Sequence, residues 1–123
     1  GGVYSSLQDM ARWVASLDGD KVLSGASRKR QFAAVPDPET PGVGYGYGFF
    51  IDRLNGHERI WHTGSSIGFR HKLLRFPGRD LTVIVLGNID RGDTPDLADR
   101  LAGIIDPALR IDPATVPPRP VTR

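Results

Sequence analysis

Residues 61–69 read Trp-His-Thr-Gly-Ser-Ser-Ile-Gly-Phe and hold three hydroxyls, an imidazole and two glycines in one short stretch. Hydroxyls and an imidazole are the groups from which nucleophiles and their activating bases are made. Glycines let a ligand or a second backbone come close. A hairpin loop of small residues has the same composition, so the stretch alone does not decide. Gly64-Ser65-Ser66-Ile67-Gly68 also matches G-x-S-x-G, in which a Ser sits on a sharp turn from strand to helix. Here 69–76 reads as a strand, not a helix. The matching hydrolase order needs an acid and then a His downstream, yet His71 follows with no Asp or Glu between. The elbow reading fails on context.

The three histidines, His57, His62 and His71, fall within fifteen residues and raise the question of a metal. On one strand His57 and His62 are an odd number apart and face opposite ways. No H-x-x-x-H or H-E-x-x-H is present, so no metal site is expected. Gly42, Gly44, Gly46 and Gly48 alternate with Val and Tyr, without the G-x-G-x-x-G or G-x-x-x-x-G-K-[ST] order of a phosphate loop. They read as positions in or near a strand where larger side chains would clash. Residues 53–79 carry Arg53, Arg59, Arg70, Lys72, Arg75 and Arg79 against Glu58 alone, the best case for an anionic ligand. A small carboxylate needs fewer cations than nucleic acid, which also favours exposed aromatics between the charges. Phe69 and Phe76 read as packed inside, and no nucleic acid is expected.

The elements that would carry these residues follow from periodicity. Leu7, Met10, Ala11, Val14 and Leu17 make one stripe at helical spacing over 6–17, with Ser6 and Asp9 as a capping pair. A shorter helix at about 25–34 follows Ser24, and its run Arg28-Lys29-Arg30 reads as a solvated face. Prolines mark 36–44 as a loop. Residues 45–53 read as a strand running toward Asn55-Gly56, a hairpin signal, with 57–63 as the return strand. Strands at 67–76 and 81–88 are joined by Pro77-Gly78-Arg79-Asp80. The last strand, Leu-Thr-Val-Ile-Val-Leu-Gly-Asn, does not alternate and reads as a central strand buried on both faces. Its second neighbour is not evident. Helix 95–105 closes the domain, with Thr94 as cap, Pro95 in the first turn, and Leu97, Leu101, Ile104 and Ile105 facing inward. Asp106-Pro107 stops it. The fold class is thus α+β: an antiparallel sheet of about four strands with an N-terminal and a C-terminal helix packed on it. Residues 1–106 form the domain segment, and 107–123 a proline-rich extended tail.

With 123 residues, the chain has room for one domain. It is 39% hydrophobic and 24% charged, which is globular, and its net charge of +2 does not by itself call for nucleic acid. The absence of cysteine excludes a disulfide framework, a thiolate metal site and a Cys nucleophile. No apolar run approaches the ~20 residues of a membrane helix. Gly1-Gly2, without an initiator Met or a leader pattern, reads as a cut or a processing point.

Taken together, the blocks resemble the C-terminal part of the serine β-lactamase and penicillin-binding-protein-like hydrolases, in the branch of class C β-lactamases, D,D-peptidases and esterases. They are Gly1-Gly2-Val3-Tyr4-Ser5-Ser6 with Asp9-Met10-Ala11-Arg12-Trp13, Tyr45-Gly46-Tyr47-Gly48-Phe49, and His62-Thr63-Gly64 ahead of Gly68-Phe69. Phe76-Pro77 and 83–88 complete the pattern, which covers about 1–106. The resemblance implies a serine acyl hydrolase without a cofactor, acting on a small-molecule or peptide acyl substrate, in a periplasmic or other extracytoplasmic setting. It implies strand 57–63 as the edge along which substrate lies, with Thr63 and Gly64 in its binding and the Ser65 N–H as one oxyanion donor. His62 stands where many members have Lys; an imidazole anchors a carboxylate more weakly, which favours peptidase or esterase chemistry over β-lactamase activity. The family's S-x-x-K and Y-x-N motifs do not occur in these residues. The expected partner is therefore a preceding N-terminal part of the same domain, which would also flank strand 81–88. The chain alone is then inactive, and its open strand edges favour self-association. A stand-alone binding module with the same sheet is the alternative.

Overall fold

A computed structural model describes residues 2–89 and 94–112, the side chains of 94 and 95 excepted. The first two helices begin as their caps dictate. Helix α1 (Leu7–Ser16) starts where the Ser6 hydroxyl accepts from the Asp9 N–H at 3.1 Å and donates to the Asp9 carboxylate at 2.8 Å. Helix α2 (Gly25–Gln31) starts where the Ser24 hydroxyl accepts from the Ser27 N–H.

The rest of the fold is one antiparallel sheet of six strands, not about four, in the order β1 to β6 with every neighbour consecutive in the chain. The two additional strands are two-residue pieces, β1 (Val35–Pro36) and β2 (Gly44–Tyr45), which flank the proline-rich loop. The expected strand at 45–53 divides, because the chain bends at 46–49 before β3 (Phe50–Leu54) resumes. At the bend the Tyr47 N–H donates to the Gln31 carbonyl at 2.9 Å. A Cβ on Gly46 would lie 2.3 Å from that same oxygen, so only glycine fits the approach. Strand β4 (His57–Ser66) returns through Asn55-Gly56, both with positive φ, 51° and 80°, as a two-residue hairpin requires. Strands β5 (Phe69–Phe76) and β6 (Leu81–Gly87) complete the sheet.

Each face of the sheet carries its own core. On one side Val14 of α1 and Leu17, which caps it, meet Phe49, Ile60 and Leu73. On the other, helix α3 (Thr94–Ile105) packs on Leu74, Phe76 and Val83 through Ala98 and Ala102. The expectation that Leu97, Ile104 and Ile105 face inward is corrected: all three are exposed, Ile104 at 70%. The small side chains bring the helix close to the sheet, which leaves the larger ones outside. The expected Thr94 cap lies outside the described side chains. Nor does an extended tail begin at 107. Pro107–Leu109 forms a 3-10 turn capped by Asp106, and Leu109 is wholly buried in the α3-side core. The rest of the tail, 113–123, lies outside the described residues.

Asp106 also holds Arg79, whose Nε donates to it at 2.6 Å. Hydrogen bonds from Arg79 and then from the Ala108 N–H set the Asp106 carboxyl below its usual pKa. A depressed carboxylate pKa contributes stability above the unfolded value of about 3.9 and loses it as pH falls through the folded one. Asp106→Asn is therefore expected to melt below the wild type at pH 6. The gap should close as pH drops below about 4 in thermal unfolding followed by circular dichroism.

Candidate active site

The strand that carries His62, Thr63 and Gly64 changes its surroundings half-way. Residues 57–61 of β4 pair with β3, ending at Trp61 opposite Phe50, whereas 60–66 pair with β5. Beyond Trp61 the β3 side of β4 is an open edge among the described residues; over its first half β4 is interior and not the edge strand expected. The register decides which groups face out. Two-residue hairpins close on hydrogen-bonded pairs, here Leu54 with His57 and Ser66 with Phe69. Alternation then turns the backbone of residues 60, 62, 64 and 66 toward β5, and that of Thr63 and Ser65 outward. Ser65 is exposed and Thr63 half-buried.

His62 folds over this edge. Its Nδ1 is 2.6 Å from the Thr63 carbonyl oxygen and its Nε2 is 3.2 Å from the Tyr45 hydroxyl. A carbonyl has no proton to give, so Nδ1 carries the hydrogen; in the neutral ring Nε2 is then the acceptor for the Tyr45 hydroxyl. The imidazole also stacks on Phe50, with ring centres 5.5 Å apart and planes 25° apart. Tyr45 meets Phe50 edge-on at 4.7 Å, so one aromatic group holds both partners.

Beside the edge opens a cleft of about 860 Å³. Its walls are the 3–5 segment, Met10 and Trp13 of α1, and the bend at 47–49; Leu73 and Ile84 lie in its floor. His62, Thr63, Gly64 and Ser66 reach it from β4, and His71 from β5. The His71 ring lies under Gly64, where an added Cβ would meet it at 3.4 Å. The site is thus a line of backbone donors and hydroxyls at the mouth of a mainly apolar hollow. Such a line suits a polarised carbonyl, with the apolar hollow behind it.

A family model described as beta-lactamase matches residues 1–105. The chain belongs to the beta-lactamase family. A penicillin binding protein from Bacillus halodurans has the same fold, with a TM-score of 0.70 at 18% identity. The match covers 79% of this chain and 30% of that one, so the chain spans less than a third of that protein's length. No curated protein sequence matches it.

Within this beta-lactamase fold the other candidates from the sequence dissolve. Gly64–Gly68 is no elbow: β4 turns through Ile67 and Gly68 directly into β5, with Gly68 at φ 77°. No cluster of His and carboxylates suited to a metal exists among the described residues. Four of the six cations of the basic run are answered by acids, and Arg53 donates to the Gly56 carbonyl at 2.7 Å. Arg59 pairs with Asp52 and Asp99, Lys72 with Asp99, Arg75 with Asp18 and Arg79 with Asp106. Burial opposes the Arg59 charge, but Asp52 and then Asp99 outweigh it and hold the guanidinium above its usual pKa. Arg70 donates to the Ser65 hydroxyl and steadies the end of the β4–β5 hairpin. Sequence reasoning missed Tyr45 as the partner of His62. Its one signal was its place in the Tyr-Gly-Tyr-Gly block, which reads equally well as plain strand.

Proposed function

We propose that these residues are the C-terminal wall of a serine acyl-hydrolase site acting on a β-lactam, a D-amino-acid peptide or an ester. The observation that carries the reading is the outward-facing Thr63–Ser65 backbone beside the cleft, in a chain of this family. The Ser65 N–H serves as one of two oxyanion donors and lowers the barrier by meeting charge as it develops on the carbonyl oxygen. Thr63 binds the substrate carbonyl or carboxylate, and Gly64 keeps the approach clear. His62 replaces the Lys of many members, so an imidazole stands where an ammonium would anchor a carboxylate. That substitution favours peptidase or ester substrates. The nucleophilic Ser with its Lys, and the Tyr of Y-x-N, come from a preceding segment that fills the cleft over Leu73 and Ile84. Uncovered apolar surface around the cleft, including Tyr4 at 92% exposure with Val3 and Leu7, supports such a covering segment.

The test compares two proteins by intact mass. The chain alone, incubated with benzylpenicillin and with p-nitrophenyl acetate, is expected to form no stoichiometric adduct. The same residues joined to an upstream segment bearing S-x-x-K are expected to form one on that Ser. An adduct on Ser65 or Ser66 of the chain alone would sink this division of labour. Failure of the joined protein to acylate with either reagent would leave a binding module as the better reading.

The outer edge of β6 has no partner among the described residues and carries no Pro, Lys or bulge to blunt it. We propose that the isolated chain pairs through this edge with a second copy. Sedimentation velocity should show a species of twice the mass that grows with concentration, and a concentration-independent monomer would contradict it.

A further inference from the structure

An added strand gains its affinity from exchanging N–H and C=O bonds with each outward-facing residue of the edge. On β4 those residues are Ser65 and Thr63, and they are not equivalent. Ser65 turns its N–H and its carbonyl away from β5, and no backbone bond outside the ladder is made to either among the described residues. The carbonyl of Thr63 is already occupied by the Nδ1–H of His62 at 2.6 Å. The same ring fills the space beside it, stacked on Phe50, the first residue of β3. Tyr45 holds the ring in this pose by donating to Nε2 at 3.2 Å, and it is itself packed edge-on against Phe50. The ring is therefore fixed at both nitrogens and on one face.

We propose that His62, positioned by Tyr45, closes the Thr63 carbonyl to substrate and so selects short acyl esters and amides over extended peptides. This rests on the reading that the Thr63–Ser65 edge receives the substrate. One substrate residue pairs with Ser65. The residue two places on, which would lie opposite Thr63, meets an imidazole edge instead of a free acceptor. Lengthening the acyl chain in that direction then adds contact with solvent but no hydrogen bond. Tyr45 acts as a positioning residue, since it reaches the edge only through the ring of His62.

The experiment is an amide and carbonyl chemical-shift titration of the chain with two probes, N-acetyl-alanine methyl ester and N-acetyl-trialanine methyl ester. Both should shift the Ser65 amide, with dissociation constants within about twofold of each other. In His62→Ala the long probe should gain about fivefold to tenfold relative to the short one, the worth of one further net hydrogen bond. Tyr45→Phe should give a smaller gain of the same kind in a protein whose His62 ring is still present. A purely structural role for either residue would move both probes alike. A long probe that binds the wild type tenfold more tightly, or gains nothing in His62→Ala, overturns the proposal while leaving the edge as the substrate platform. If neither probe moves Ser65 or Thr63, the platform itself is wrong and the proposal falls with it.

Discussion

Replacing Asp99 by alanine is expected to cost about 3–5 kcal/mol of unfolding free energy, measured by urea denaturation at neutral pH. Asp99 is 6% exposed and stands between two cations, with one oxygen 3.1 Å from Arg59 and the other paired with Lys72. Lys72 is buried as deeply, and both cations lie over the Trp61 ring, at 5.1 Å for Lys72 and 5.8 Å for Arg59. Removing the shared acid leaves Lys72 as a charge in a place water does not reach. Arg59 retains Asp52, which it grips through two nitrogens at 2.7 Å. A domain of this size is stable by about 5–15 kcal/mol in all, so the loss would be a large part of the total. The cost lies in stranding a charge, not in the worth of the pair. Lys72→Met with Asp99→Leu should therefore unfold within about 1 kcal/mol of the wild type. A single-variant loss below about 1 kcal/mol would show that the network is open to solvent.

The second large effect falls on Gly46. Its alanine variant places a methyl 2.3 Å from the Gln31 carbonyl oxygen and 3.1 Å from Ile51 Cδ1. The first contact is with backbone, so the clash cannot be relieved by turning a side chain. The 46–49 bend must move, at a cost of about 1–3 kcal/mol or more. Tyr45 precedes that bend and His62 leans on Tyr45, so the shift should be read at the Thr63–Ser65 edge as well. Loss of stability together with changed His62 ring resonances is the expected outcome. Gly78→Ala is the control, since nothing lies within 4 Å of a Cβ there and the effect should stay within about 0.5 kcal/mol. Equal stability of the two variants would mean that the bend is not tied to α2 through Gln31.

The sequence makes legible those features that are encoded locally. The Ser6–Asp9 cap and the Asn55-Gly56 hairpin each lie within a few residues and appear where expected. The apolar run of β6, read as a central strand buried on both faces, instead forms an edge strand with only Val83 buried among the described residues. What escaped depends on residues distant in the chain. The break in 45–53 is imposed by Gln31, and an aromatic–glycine alternation carries no sign of it. On helix α3 the expected inward face holds for Leu101 but not for Leu97, Ile104 and Ile105, because Leu and Ile outweigh Ala in any hydropathy pattern, while close approach to the sheet favours Ala98 and Ala102. The basic run reads as a ligand site because three of its acids come from the distant positions 18, 99 and 106. Of the candidate site, His62-Thr63-Gly64 stood out by type and order. The tautomer of His62 and its grip on Thr63 did not, because a side chain's choice of partner follows from the start of β3 at Phe50.

Because each strand of the sheet pairs only with its neighbours in sequence, assembly has an order of its own. The hairpins at 55–56 and 67–68 close loops of two residues, and the reversal at 77–80 closes one scarcely longer. Short loops cost little entropy, so the sheet can zip from β3 to β6 before any distant contact forms. The late steps are those that span the chain: Arg75 reaching Asp18, and Asn55 donating to the carbonyls of Ala108 and Arg110 at 3.0 and 2.9 Å. A ribosome that has released β6 has thus already delivered everything the central sheet needs. Helix α3 and the turn after it then lock a structure whose register is settled.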